Sequence, residues 1–287
     1  MIRKYRDSDR DEVVQLISSA DAMLLHEIEQ LLSAGDGERY VCSEKGELKG
    51  CALVLAHESP QTGKTCELYL LTAPAHRKRG IGRALWAKAW PAVLAADPDL
   101  VTVQYRVDAG DTRDFFGKRG FDRWLGLRQM QYRGAKFPEP DIAARHYEDR
   151  DFESYIQLLS DAFYELRKEN DCQPYALLDS VQEQSRSILE QHREWIYVFT
   201  VGEELVGSFA IKGPTEMDDL FVAPAHQGRG YGRRIAQFAV NRMLERGANP
   251  VTLTVVTTNT LAYELYQSLG FELAQTSEIA RMTFKSP

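Results

Sequence analysis

A chain of 287 residues is long for one compact core and comfortable for two, and 44% hydrophobic with 27% charged residues is an ordinary globular balance that excludes a disordered polymer. A net charge of −7 argues against electrostatically driven binding to nucleic acid. No apolar run approaches the roughly 20 residues that span a bilayer, the N-terminal MIRKYRDSDRDEVV lacks a leader's apolar stretch, and the cysteines and histidines show no disulfide or metal spacing. The expectation is a cytoplasmic protein with no metal, membrane or nucleic-acid partner.

In chain order, Ser8 or Asp9 can cap a first helix with Val13, Val14, Leu16 and Ile17 on its apolar stripe. Strands are predicted at about 39–43, 47–56 and 65–72, separated by glycine-bearing turns. A longer helix opens at Gly80 with Ile81, Leu85, Trp86 and Ala89 on one face, and a buried strand, a short helix and a final strand follow. Two prolines and a glycine in GAKFPEPD, residues 134–141, interrupt the pattern and read as a linker. The same order then recurs. Asp149 or Asp151 starts a helix with Tyr155, Leu158, Leu159 and Phe163, strands fall near 195–200, 204–212 and 216–222, and a helix from Gly230 presents Ile235, Phe238, Ala239 and Met243.

The recurrence extends to sequence. Ala73-Pro74-Ala75-His76 returns 150 positions later as Ala223-Pro224-Ala225-His226, and Gly120-Phe121 returns as Gly270-Phe271 at the same offset. Upstream, Gly46 to Gly50 resembles Glu203 to Gly207 at an offset of 157, so the first copy carries a longer hairpin between Gly50 and Pro74. The chain therefore reads as two α/β domains in tandem, 1–136 and 140–287.

The chemistry-bearing junction lies between the third strand and the longer helix. It reads Arg77-Lys78-Arg79-Gly80-Ile81-Gly82-Arg83 in the first copy and Gln227-Gly228-Arg229-Gly230-Tyr231-Gly232-Arg233 in the second. Glycines let the backbone turn tightly and approach a ligand, and the unpaired N–H groups of a helix start attract phosphate oxygens. A plain strand-to-helix turn also uses glycine, but two matches in the same context favour phosphate binding. Gly63-Lys64-Thr65 mimics the end of a Walker loop, yet Glu58 stands where its first glycine belongs, and the tripeptide reads as a hairpin turn.

The pattern [QR]-x-x-G-x-[GA] after an apolar strand resembles the pyrophosphate loop of the GNAT acetyltransferase superfamily, and the second copy continues the likeness. There Asn259, Ala262, Tyr266 and Gly270-Phe271 match N-x-x-A-x-x-x-Y-x-x-x-G-F. The resemblance implies tandem domains with a mostly antiparallel mixed sheet flanked by helices, acetyl-CoA held by both loops, and the segment from Asn259 lying against the pantetheine arm. It further implies that Tyr266 protonates the departing thiolate. At the matching positions the first copy has Ala109, Thr112 and Phe116, so that copy is expected to be degenerate, binding cofactor without turnover or serving as a scaffold.

The resemblance implies direct attack by an amine in a ternary complex. A carboxylate must then take the amine's proton, and Asp219 is the first candidate and Glu216 the second, although carboxylates at a strand start are as often merely solvated. Alternation sets Asp219 on the face opposite Asp218 and Glu216. Backbone N–H groups near Phe221 and Val222 are expected to polarise the thioester carbonyl. The acceptor pocket is expected within 163–195, and Asp161 just before it with Glu165, Glu169, Asp171, Asp179 and Glu183 suits a small cationic amine. Two other readings remain: a noncatalytic acyl-CoA sensor, and an enzyme acting on peptide or protein amines.

Overall fold

A computed structural model describes residues 1–35, 37–59, 63–108, 112–181 and 184–284. Contacts divide the chain into two units, Met1–Leu125 with the stretch from Ser277 onward, and Gly126–Thr276. In the first, chain order is β1 (Ile2–Lys4), α1 (Arg10–Ala20), α2 (Leu25–Ala34), β2 (Glu38–Glu44), β3 (Glu47–Ser59), β4 (Gly63–Thr72), α3 (Ile81–Ala95), β5 (Leu100–Arg106) and α4 (Arg113–Gly117). Strand β6 (Asp122–Tyr132) begins there and continues into the second unit. That unit adds β7 (Ala143–His146), α5 (Phe152–Glu169), α6 (Ser185–Gln191), β8 (Ile196–Val201), β9 (Glu204–Ile211), β10 (Met217–Val222), α7 (Tyr231–Glu245), β11 (Val251–Val256), α8 (Thr260–Ser268) and the start of β12 (Glu272–Thr283).

The first unit's sheet runs β1-β2-β3-β4-β5 and ends on β12, antiparallel except for the parallel pair β4–β5. The apolar stripe of α1, Val13, Leu16, Ile17 and Ala20, is buried with Ile28 of α2 in one core, and Leu85, Ala89 and Val93 of α3 enter another. In the second unit β7, β8, β9 and β10 form an antiparallel sheet. A single parallel bridge, Glu216 to Thr252, leads on to β11, which pairs with β6 from Val251 opposite Tyr132 to Val256 opposite Leu127. Gly50 and Gly207 hold equivalent places: a Cβ on either would strike a strand carbonyl and the helix above, Leu85 in one case and Ile235 in the other.

The last strand of each repeat thus closes the other repeat's unit. Ser277 to Thr283 pair with Arg106 to Leu100, and the expected boundary at 134–141 falls inside the second unit. There Lys136 pairs with Glu245 at 2.8 Å and the Phe137 N–H donates to Asn241 at 2.9 Å. The contact units thus differ from the expected repeats at 1–136 and 140–287 in their closing strands, because a period-two strand pattern fixes which face is buried but not which neighbour is used.

The two expected helix caps act differently from the expectation. Asp9 accepts from the Arg6 N–H at 2.8 Å and from Arg3 at 2.6 and 2.7 Å, and Asp151 repeats this with the Glu148 N–H at 2.9 Å and Arg145 at 2.6 Å twice. Each carboxylate locks the turn before its helix to the preceding strand. Among the described residues, no helix is long and apolar enough to cross a membrane, and no group of side chains could hold a metal.

Candidate active site

Both loops make the same turn. Gly228 and Gly230 have φ of +73° and +81°, and Lys78 and Gly80 have +60° and +80°. Each following helix starts on a glycine that offers no side-chain cap, which leaves its first N–H groups for a ligand. A Cβ at Gly80, Gly228 or Gly230 would meet no atom within 4 Å, so the space over both loops is open. Arg229, Arg79 and Lys78 are exposed, whereas Gln227 donates to the Val222 carbonyl at 3.1 Å and Arg233 to Ser268 at 2.6 Å. Arg77 likewise leans back on the Thr72 carbonyl, at 3.4 Å. Gly232 packs against Leu265 and Val222, Gly82 sits near Thr72 and Phe115, and Ile81 and Tyr231 are half-buried.

Beside each loop the sheet opens. Pairing of β4 with β5 stops at Leu68 and Val103, and β10 meets β11 only through the bridge at Glu216. Ala73 and Ala223 donate back to β3 and β9, so by alternation the N–H groups of Thr72 and Val222 face the opening and that of Phe221 faces β9. In the first unit the opening is a cavity of 370 Å³ walled by Leu70 and Thr72, Tyr105, Arg83 and Phe116.

The strands beside the openings differ. The β3–β4 ladder is unbroken from Gly50 opposite Thr72 to Ser59 opposite Gly63. In β10, Asp218 lies opposite Ala210 and Phe221 opposite Ser208, so two residues, Asp219 and Leu220, face the single residue Phe209. This is a β-bulge, with Asp219 at φ +48°, and its extra residue is left out of the ladder. Simple alternation past Asp219 therefore does not hold.

Electrostatics mark the bulge. Asp219 is exposed at the opening, yet crowding by the surrounding protein and then the neighbouring Asp218 carboxylate push its carboxyl up to about 6, against an opposing pull from Lys212. Asp218 accepts from the Asp219 N–H at 2.9 Å and pairs with Lys212 at 3.4 Å. The two carboxylates reach different tyrosines: burial and then Asp219 raise the pKa of Tyr155, while burial and then Asp218 raise that of Tyr266. Glu216, the second candidate, accepts from Thr254 on β11 at 3.2 Å. Tyr155 and Lys212 were not singled out in the sequence; a tyrosine on an apolar helix stripe and a lysine beside a hairpin carry no signal of their own.

Tyr266 lies on α8, 7% exposed and edge-on to Phe271 at 5.5 Å. Asn259 caps that helix by accepting from the Ala262 N–H at 3.1 Å. In the first unit Phe116 is buried and stacks on Tyr105 at 5.3 Å, Thr112 starts α4 without a side-chain cap bond, and Ala109 lies outside the described residues. Of the acidic group expected near the acceptor, Asp161, Glu165, Glu169, Asp171 and Asp179 are exposed, with Asp161 and Asp171 bonded to Gln157 and Tyr175. Glu183 lies outside the described residues.

Comparison with known proteins agrees with this geometry. Residues 145–271 match the profile of the acetyltransferase (GNAT) family, and residues 35–123 match that of an acetyltransferase (GNAT) domain. A mycothiol acetyltransferase of Thermobifida fusca is 27% identical over 91% of this chain and 90% of its own length. One from Renibacterium salmoninarum is 24% identical over 78% and 69%. Among solved structures, a GCN5-related N-acetyltransferase from Sphaerobacter thermophilus superposes with a TM-score of 0.73 at 18% identity, covering 100% of this chain and 96% of that one. A tandem GNAT protein of the clavulanic acid biosynthesis pathway gives 0.57 at 16% identity, covering 100% and 99%. With two GNAT profiles in succession and tandem relatives of the same length, this chain belongs to the GNAT superfamily of N-acetyltransferases, in its two-domain form.

Proposed function

We propose that the second unit transfers an acetyl group from acetyl-CoA to a primary amine of a small molecule by direct attack in a ternary complex, and that the first unit binds coenzyme A without turnover. The observation that carries this reading is the bulge of β10, which joins a carboxyl of raised pKa to a strand edge left free for a ligand. Residues 227–233 and the uncapped start of α7 fit a pyrophosphate, since open space, N–H groups and the Arg229 charge meet there. Acetyl-CoA supplies the activated acetyl thioester. Asp219 takes the proton that an alkylamine carries at neutral pH. The bulge and the Val222 N–H offer donors to carbonyl oxygen in the cleft. Tyr266, kept neutral by its burial, holds the proton for the leaving-group side. A small acceptor is supported by the mycothiol acetyltransferase relatives.

Calorimetric titration with acetyl-CoA, paired with turnover on an amine panel, tests the assignment. Two molecules should bind; Gly230→Trp should remove one of them together with all turnover, and Gly80→Trp should remove the other and leave turnover. Lack of binding at millimolar cofactor, or turnover that survives Gly230→Trp and not Gly80→Trp, rejects it.

A further inference from the structure

Helix α5 outruns its counterpart. Both helices start directly after an aspartate that locks the preceding turn, yet α1 has 11 residues and α5 has 18, an excess of two turns or about 10 Å. In the first unit the chain turns at Asp21, which accepts from the Met23 N–H at 3.2 Å, and leads into α2. In the second the extension ends at Asn170 and the chain folds back along the helix. Asp171 takes φ +50°, the Cys172 N–H donates to the Arg167 carbonyl at 2.8 Å, and Arg167 donates to the carbonyls of Pro174 at 2.8 Å and Gln173 at 3.2 Å. Tyr175 donates to Asp171 at 2.9 Å and the Leu178 N–H to Ser160 at 3.3 Å. Residues 170–178, inside the stretch expected to shape the acceptor pocket, are thus pinned to α5.

Asn170 also reaches across the cleft. Its amide donates to the Leu166 carbonyl at 2.7 Å and to the Thr258 hydroxyl at 2.8 Å, which uses both amide protons and fixes the group's orientation. The two ends of that second bond belong to opposite walls. α5 packs on β10, with the rings of Tyr155 and Phe221 5.8 Å apart, whereas Thr258 lies in the turn between β11 and α8. The parallel bridge aligns Glu216 with Thr252, so Thr258, counted equally from it, stands level with the end of β10, where the Val222 N–H faces the opening. The cleft is therefore bounded at its narrow end by the bridge, on its sides by β10 and β11, and at its wide end by the Asn170–Thr258 bond. In the first unit the counterpart of Thr258 is Asp108, which pairs with Arg106 of its own strand at 2.9 Å.

We propose that Asn170 and Thr258 are positioning residues whose bond makes the second unit selective for amines borne on small molecules. This rests on the acetyl transfer proposed above and adds what the acceptor pocket rejects. A small molecule brings its amine end-on to the thioester beneath the bond. A peptide has to lay its backbone through the end that the bond closes, so its lysine reaches the thioester only when Asn170 lets go. Breaking the bond also loosens the wall against which the small amine is held.

The test compares Thr258→Val, which keeps the side chain's shape without its hydroxyl, with Thr258→Ser, which keeps the hydroxyl. The acceptors are the best small amine of the panel and a lysine tripeptide blocked at both ends. The parent should favour the amine. Thr258→Val and Asn170→Ala should each raise KM for that amine about tenfold with kcat changed by less than about threefold, the scale of one hydrogen bond lost from a preorganised wall. Both should shift the ratio of kcat/KM toward the peptide by about tenfold or more, and Thr258→Ser should restore the parental values. Acetyl-CoA affinity measured by calorimetry should stay within about twofold in every variant. A loss of that affinity as large as the rise in KM would mean that the bond merely supports α8, and overturns the proposal. So does a parent that acetylates the peptide as readily as the amine, a ratio unchanged in both Thr258→Val and Asn170→Ala, or a Thr258→Ser protein that behaves like Thr258→Val. A parent that binds acetyl-CoA and acetylates neither acceptor rejects the proposed acetyl transfer itself, and the selectivity with it.

Discussion

The first and second units open a cleft by the same means and equip it differently. In both, a strand parts from its parallel neighbour, an uncapped helix starts over a left-handed turn, and a glycine on the adjacent strand lets that helix lie close. Only the second has an extra residue in the strand beside the cleft, and that residue is Asp219. Only the second has a tyrosine on its short helix, where the first has Phe116 stacked on Tyr105. On the proposed roles, the parts that hold a phosphorylated cofactor are separable from the parts that move protons, and one copy has kept the former without the latter.

The sharpest way to break that comparison is to delete Asp219, which turns the β10 ladder into the continuous kind seen in β4. Turnover should fall by about 10⁴-fold or more, since base and carbonyl donor geometry go together. Coenzyme affinity measured by calorimetry should stay within a few-fold. A deletion mutant that binds and still turns over would show that the bulge is incidental.

The exchanged strands offer the next largest effect. Glu278 of β12 is 2% exposed and accepts from Tyr105 at 3.1 Å and from Arg113 at 2.6 Å, with Arg123 at 3.0 Å. Its counterpart on β6, 150 positions earlier, is Arg128, which donates to the Thr257 carbonyl at 3.1 Å and lies 4.4 Å over Tyr263. Returned to its own unit, Arg128 would occupy the place of Glu278 and meet Arg113, charge against charge. Opposite charges at equivalent positions thus favour the exchange. Glu278→Ala should destabilise the first unit by about 1–3 kcal/mol, the cost of leaving the Tyr105 hydroxyl without its acceptor, since Arg113 and Arg123 are more than half exposed and return to water. Melting followed by fluorescence, with Arg128→Ala as the milder comparison, checks this.

Tyr266→Phe should lower kcat about a hundredfold or more with KM for acetyl-CoA little changed, whereas Phe116→Tyr should leave both alone. Equal losses from Tyr266→Phe and Phe116→Ala in folded protein would dissolve the distinction between the units. A related pH effect is smaller. With the Asp219 carboxyl raised to about 6, the base is lost to protonation as pH falls through that value, and kcat should drop about tenfold per unit below it. The sign for stability is the reverse, since a raised carboxyl favours the fold at low pH, but water at the exposed Asp219 keeps that effect small. Because that carboxyl is exposed and screened by water, Asp219→Asn should melt close to the parent at pH 8 and at pH 4 alike.

Much of this was legible in the sequence. The APAH repeat, the glycine turns and the Asn259-to-Phe271 segment located both loops and the short helix carrying Tyr266, because turn glycines and helix periods act over a few residues. The bulge was not. Repeat offsets of 157 before the hairpin and 150 after it conceal a single inserted residue, since the longer hairpin of the first copy absorbs the difference. Strand exchange was equally silent in β6 and β12 taken alone, whose alternation is satisfied by either neighbour. Its trace lay in Arg128 set against Glu278, which has meaning only once Arg113 and Tyr105 are known to be the partners.

The smallest contrast lies where the units begin. Asp9 and Asp151 make the same three bonds, and Arg3 holds the first carboxyl below the usual carboxylate range; at the second, burial pushes upward while Arg145 and the Glu148 N–H prevail. Asp9→Asn and Asp151→Asn should each cost about 1–3 kcal/mol at pH 7, the loss of charge-assisted bonds to a buried group. A depressed pKa contributes stability above the unfolded value and loses it as pH falls through the folded one, so both penalties should vanish in acid. Asp9→Asn should lower the transition of the first unit and Asp151→Asn that of the second. If either substitution lowered both transitions equally, the two units would melt as one, and the closing strand that each takes from the other repeat would be the cause.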